Sequence, residues 1–189
     1  MSLISLALRV HEQLDRDGIP HAFGGALALG YVAEPRGTAD IDLNVFVPVA
    51  DVERVMASLA TIGLAPDRSL DDWMPAAGLR FRSVDEPFPV DVFLSLDDTY
   101  DEIRERCTAQ PLGPERTLVP VLSADDLAVF KLSFGRDKDW VDLRSIAAAT
   151  TLDVGYIERQ LLALRGPAMH PRIARLRTIV RSTTPPPPN

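Results

Sequence analysis

The sequence predicts an α/β or α+β core followed by a helical C-terminal part. Three observations carry that expectation. Short apolar runs with a period of two recur between residues 21 and 122, amphipathic stretches at helical spacing alternate with them, and beyond Ser123 only helical patterns remain. The reading is 1–120 for the core and 121–183 for the helical part, with 184–189 as a disordered tail carrying Pro185 to Pro188.

The elements follow in order. Leu3, Leu6, Ala7, Val10 and Leu14 lie at helical spacing and end near Gly18. Met1 to Val10 reads as the start of this helix rather than a signal peptide, because Glu12 and Asp15 follow at once. His21 to Phe23 is a short strand running into Gly24-Gly25, and 26–33 is helical. Ile41, Leu43, Val45 and Val47 alternate as a strand with Asp40 and Asp42 at its start, and Pro48 closes it. Val52 to Ile62 is an amphipathic helix stopped by Gly63. Residues 79–84, 90–94 and 117–122 read as strands, and Asp97 to Arg106 as a short helix. Ser123 is an N-cap for a helix to about Phe134. Lys138 to Ala149, Val154 to Leu164 and Pro171 to Arg181 complete the helices.

The 189 residues are 46% hydrophobic and 25% charged, which suits one globular domain with a helical appendage and excludes wholesale disorder. No apolar run approaches the ~20 residues of a spanning helix, so no membrane partner is expected. The single cysteine, Cys107, cannot close an internal disulfide and fits a reducing cytoplasm. The net charge of −7 speaks against a nucleic-acid partner, but it is unevenly placed: residues 151–189 carry +4 and the rest −11. The basic helices suit an RNA backbone or are an ordinary amphipathic face.

Asp40-Ile-Asp42 is the most informative feature. Residues i and i+2 on a strand point to one side, so two carboxylates ~7 Å apart at Cα repel each other there. A divalent cation with hard oxygen ligands, such as Mg²⁺, is a natural reason for such a pair. Asp91 lies in an apolar strand, where a lone acid is costly unless it is paired or bound to metal. If the two strands are neighbours, three carboxylates converge, the minimal cage for two cations that align a nucleophile and a leaving phosphate. Gly24-Gly25 lets a backbone approach a ligand, and the helix N-terminus after it favours phosphate; a tight turn is the bland reading.

Strand, Gly-Gly, helix, turn, strand with Asp-x-Asp is an order that resembles the polymerase-beta-like nucleotidyltransferase superfamily. It stands here as Phe23-Gly24-Gly25, fourteen residues, then Asp40-Ile41-Asp42-Leu43. The blocks Gly24–Leu29, Arg36–Leu43 and Lys131…Arg136-Asp137-Lys138-Asp139-Trp140-Val141-Asp142-Leu143 look like AbiEii-type nucleotidyltransferases of type IV toxin–antitoxin systems, the MenT-like tRNA enzymes included. The likeness spans about 20–146, and aminoglycoside nucleotidyltransferases share its first two blocks. It implies a mixed sheet flanked by helices, NTP as substrate and two Mg²⁺ ions on Asp40, Asp42 and Asp91. In that scheme Asp91 also helps to deprotonate the attacking hydroxyl. The acceptor would be the 3′ end of tRNA, so that modification blocks translation, and a cognate antitoxin would be a partner. It further implies silencing by phosphorylation at Thr38, which on its own reads as turn chemistry.

The third block has its own reading. Lys131, mid-helix, is placed to reach a triphosphate or else sits on a solvated face. Arg136, Lys138 and Asp139 follow at the helix end, where Arg136 suits phosphate oxygens. Asp139 and Asp142 orient those cations or form a surface cluster. Trp140 and His21 read as core or strand residues, and His11 falls on the first helix. The alternatives to the toxin reading are a small-molecule nucleotidyltransferase of aminoglycoside type and a non-catalytic nucleotide-binding member.

Overall fold

The computed structural model describes residues 2–74 and 78–183; the expected tail, 184–189, lies outside the described residues. Among the described residues the chain forms α1 (Leu3–Arg16), β1 (His21–Phe23), α2 (Gly25–Val32), β2 (Ile41–Pro48), α3 (Val52–Ala60), β3 (Ala65–Pro66), β4 (Leu79–Arg82), β5 (Val90–Ser95), α4 (Thr99–Glu105), β6 (Thr108–Leu112), β7 (Thr117–Val121), α5 (Ala124–Phe134), α6 (Asp137–Ala149), α7 (Val154–Arg165) and α8 (His170–Thr183). They make two compact units. One holds the residues up to Leu27 and Gly37–Leu122; the other holds Ala28–Arg36 and the residues from Ser123 onward.

The first unit is a mixed sheet in the order β3-β4-β5-β2-β1-β7-β6. The central pairs β2–β5 and β1–β7 are parallel, and the other pairs are antiparallel. Parallel neighbours are buried on both faces, which matches the run of buried residues from Leu43 to Val47 in β2. The helix α1 packs on α3 and β7, and α4 packs on β2. Its buried stripe is Leu6, Ala7, Val10 and Leu14, the positions the helical spacing picks out. Ser2 caps it by accepting the Ser5 N–H at 3.1 Å.

The second unit is a helical cluster in which α5 packs on α6 and α7, and α8 packs on α6 and α7. Ser123 caps α5 by accepting the Asp126 N–H at 3.2 Å. Gly135 ends α5 in the left-handed region, at φ +65°, a conformation that glycine adopts without steric cost. No helix among the described residues is long and apolar enough to cross a membrane.

Candidate active site

A polar row crosses the middle of the sheet in the first unit. Arg80 of β4 is the register partner of Asp91 in β5, and Asp91 is the register partner of Asp42 in β2. Side chains of directly paired residues share a face, so Arg80, Asp91 and Asp42 stand side by side. The row continues to β1, where the Gly24 N–H donates to the Asp42 carbonyl at 2.9 Å. Asp40 precedes β2 by one residue and Asp42 by two. The sheet therefore brings Asp42 and Asp91 onto neighbouring strands, with Asp40 on the segment that leads into β2. The other face of the same strands is core: Ile41, Leu43, Val90 and Val92 are buried there.

Gly25 has φ +53°, and a Cβ at this position would fall 1.7 Å from Oδ2 of Asp42. Only glycine lets the carboxylate lie against the first turn of α2, where the helix dipole favours negative charge. Gly24 is less tightly constrained: a Cβ there would stand 2.9 Å from the Asn44 amide nitrogen, at the end of a side chain. The glycine pair is thus shaped around the Asp42 strand.

Asp40 and Asp91 have protein partners. Thr38 Oγ1 donates to Asp40 Oδ1 at 2.7 Å. Arg80 grips Asp91 with both arms of its guanidinium, Nε to Oδ1 and Nη2 to Oδ2 at 2.6 Å each. The same Nη2 lies 3.8 Å from Asp40 Oδ2. The hydrogen bonds to Asp91 raise the Arg80 guanidinium above its ordinary value, against the opposing pull of burial, and the charges of Asp91 and Asp40 add to the rise. The apolar strand around Asp91 calls for a partner or a metal, and Arg80 is a partner. Its signal in the sequence is the alternation of Arg80 and Arg82 on a strand. Among the described residues no three His, Cys, Asp or Glu side chains stand as a ready-made metal cage. The donor set still suits a hard divalent cation: carboxylate oxygens from two adjacent strands, with the Asp42 carboxylate seated in the cradle that Gly25 leaves open.

Within the second unit, expected residues gather in two groups, one around Asp142 and one around Asp139. The Lys131 ammonium is 5% exposed and donates to Asp142 at 2.5 Å. Arg36 donates to the same carboxylate through Nε and Nη2, both at 2.9 Å. Burial alone would raise the Asp142 carboxyl, but the bonds from Arg36 and Lys131 outweigh it and hold the group below the usual carboxylate range. Asp139 is buried and accepts from the Arg136 backbone N–H at 3.0 Å and from its Nε at 2.8 Å, closing the first turn of α6. Lys138 is exposed one position into α6. Trp140 is buried, as expected of a core residue, and donates to the Gly135 carbonyl at 3.1 Å.

No protein-family model matches the chain, and no curated protein matches it. Solved structures do. The antibiotic-resistance factor ANT(2'')-Ia superposes with a TM-score of 0.59 at 16% identity, over 95% of this chain and 97% of its own. The fold is that of nucleotidyltransferases. An antigenic nucleotidyltransferase-like protein from Paracoccidioides brasiliensis matches with a TM-score of 0.53 at 14% identity, over 94% of this chain and 92% of that one. The lincosamide antibiotic adenylyltransferase LnuA, bound to lincomycin, matches with a TM-score of 0.51 at 13% identity, over 76% of this chain and 96% of that one. The nucleotidyltransferase fold expected from the glycine pair and Asp-x-Asp is therefore present, with the expected mixed sheet flanked by helices. At these identities the likeness concerns the fold.

Proposed function

We propose that the chain is a Mg²⁺-dependent nucleotidyltransferase that moves NMP from an NTP to an acceptor hydroxyl. The observation that carries the reading is the placement of Asp42 and Asp91 as partners on adjacent strands, with Asp40 beside them and Gly24-Gly25 opposite. Asp40, Asp42 and Asp91 would hold the ion. Bound there, Mg²⁺ supplies charge for the α-phosphate and the departing pyrophosphate. The acceptor oxygen attacks the α-phosphorus, the bond to the β-phosphate oxygen breaks, and pyrophosphate leaves. Asp91, oriented by Arg80, takes the acceptor's proton. The backbone at Gly24 and Gly25, with the first turn of α2, forms the bed for phosphate. The sequence offers Arg136 and Lys138 as further phosphate cations; Arg136 is held by Asp139 at the start of α6. Lys131 takes that role only by leaving Asp142.

For the acceptor, the motif blocks support the tRNA 3′ end, hence a translation-blocking toxin with a cognate antitoxin. Phosphorylation of Thr38, whose hydroxyl touches Asp40, would set nearly two negative charges against the acidic row. A second reading, a small cationic acceptor of aminoglycoside type, is favoured by a specific finding: arginines of α8 are used within their own unit. Arg172 donates to the Leu132 and Ser133 carbonyls, Arg175 lies 3.9 Å over the Trp140 ring, and Arg177 pairs with Glu158. The acidic remainder of the chain fits a polycation, and ANT(2'')-Ia, described in complex with adenylyl-2"-tobramycin, shares the fold.

The test is transfer of labelled NMP from each of the four NTPs, with Mg²⁺, to total tRNA and to a panel of aminoglycosides. Label on one acceptor class names it. Asp40→Ala is expected to reduce transfer by at least about 100-fold. Persistence of transfer in that variant overturns the site.

A further inference from the structure

Carboxylates close to one another on neighbouring strands repel, and Asp42 and Asp91 are register partners with Asp40 nearby. Arg80 supplies a positive charge beside them. Its guanidinium is the register neighbour of Asp91, holds both Asp91 oxygens at 2.6 Å and reaches to 3.8 Å from Asp40. It therefore stands between two of the acids, Asp91 and Asp40. It is also only about one-third exposed, while the Asp91 side chain is 18% exposed, so water screens the contact incompletely.

We propose that Arg80 is the internal counter-cation of the acidic row and competes with a divalent cation for Asp91. The inference rests on the reading of Asp40, Asp42 and Asp91 as metal ligands. A cation that takes Asp91 meets the positive charge of Arg80 and must share the carboxylate or displace the guanidinium from it. Either way, part of the binding energy is spent against Arg80, and metal affinity is lower than three carboxylates alone would give. Conversely, the metal-free protein is stabilised, because one fixed positive charge offsets the repulsion of the row. The arrangement differs from a passive surface ion pair, in which removing the arginine would leave metal affinity unchanged.

The experiment is a Mn²⁺ titration of the metal-stripped full chain, with free Mn²⁺ read by electron paramagnetic resonance. It compares the wild type with Arg80→Gln, Arg80→Lys and Asp42→Asn. Arg80→Gln is expected to bind Mn²⁺ at least about fivefold more tightly than wild type. Arg80→Lys keeps the charge but cannot hold both oxygens, so its affinity should fall between the two. The metal-free Arg80→Gln protein should melt below wild type, and added Mn²⁺ should raise its midpoint more than it raises that of wild type. Should Arg80→Gln fail to fold without metal, the comparison of Arg80→Lys with wild type decides by the same criterion. Equal or weaker Mn²⁺ binding by the Arg80 variants overturns the competition while leaving the metal site standing. If neither wild type nor the Arg80 variants bind Mn²⁺ more tightly than Asp42→Asn, the metal reading itself fails and this inference falls with it.

Discussion

Asp91 shows what a single residue discloses and what it conceals. Its apolar neighbours Val90 and Val92 announce a strand in which a carboxylate needs a partner, and the partner is present. That it is Arg80, eleven residues earlier and across an antiparallel pair, was not legible. Register decides which residues meet, and a slip of one position would have sent Arg80 to the opposite face. Asp142 conceals more. Its place in a charged stretch reads equally as surface, yet it is 2% exposed and receives both Lys131 and Arg36. Removing its charge strands a buried ammonium. Asp142→Asn is therefore expected to cost about 3–5 kcal/mol, read from the urea midpoint, with Lys131→Met/Asp142→Asn recovering part of the loss. A cost below about 1 kcal/mol for the single variant would show that the pair is not load-carrying for the fold.

At the scale of elements, the helices were the legible part. The stripe of α1 and the Ser123 cap of α5 are local signals, complete within a few turns of chain. Two strands were not legible. β3 is two residues long, and β6 reads Thr-Ala-Gln-Pro-Leu, with neither alternation nor freedom from proline; it forms because it is an edge strand paired to β7 on one side. The basic helix α8 was legible as a helix but not in its purpose. Arg172 reaches the orphan carbonyls at the end of α5, where the helix dipole favours a cation, and it lies so near Gly135 that a Cβ there would stand 2.7 Å from its guanidinium. Arg172→Met keeps the stem and removes the charge and both bonds. It should lower stability by about 1–2 kcal/mol in urea unfolding, whereas Arg181→Met, on the exposed last turn, should change it by less than about 0.5 kcal/mol. Equal effects would return α8 to the reading of a free basic face.

Over the whole molecule, pH is the broadest lever, and in the first unit His21 sets its mildly acidic end. His21 is buried, and its Nδ1–H donates to the Ile19 carbonyl at 2.8 Å, which leaves Nε2 to accept from His11 Nδ1 at 2.9 Å. Desolvation pushes the His21 imidazole down to about 4, against the upward pull of the Ile19 carbonyl. A histidine held neutral in the fold binds its proton more readily when unfolded, so stability is full above the ordinary value near 6.5 and is lost as pH falls toward 4. The loss should reach roughly 3 kcal/mol across that window, and His21→Phe should flatten it. Wild-type and variant curves that run parallel from pH 7 to 4 would remove His21 as the cause.

The proposed function would rest on the fold of the first unit, whose sheet brings one row of side chains together. Glycine pair, Asp-x-Asp and later acid were readable because each is a local departure from what a strand or helix prefers. Their meeting on adjacent strands needed the sheet. The central claim is that this row transfers a nucleotidyl group. Its most direct measurement is a comparison of NTP labelled at the α-phosphate with NTP labelled at the γ-phosphate, with Mg²⁺ and the acceptor that scores in the panel. The account predicts that α-label alone reaches the acceptor, that γ-label leaves as pyrophosphate, and that Asp42→Asn stops both. Transfer of γ-label, or α-label transfer undiminished in Asp42→Asn, would contradict it.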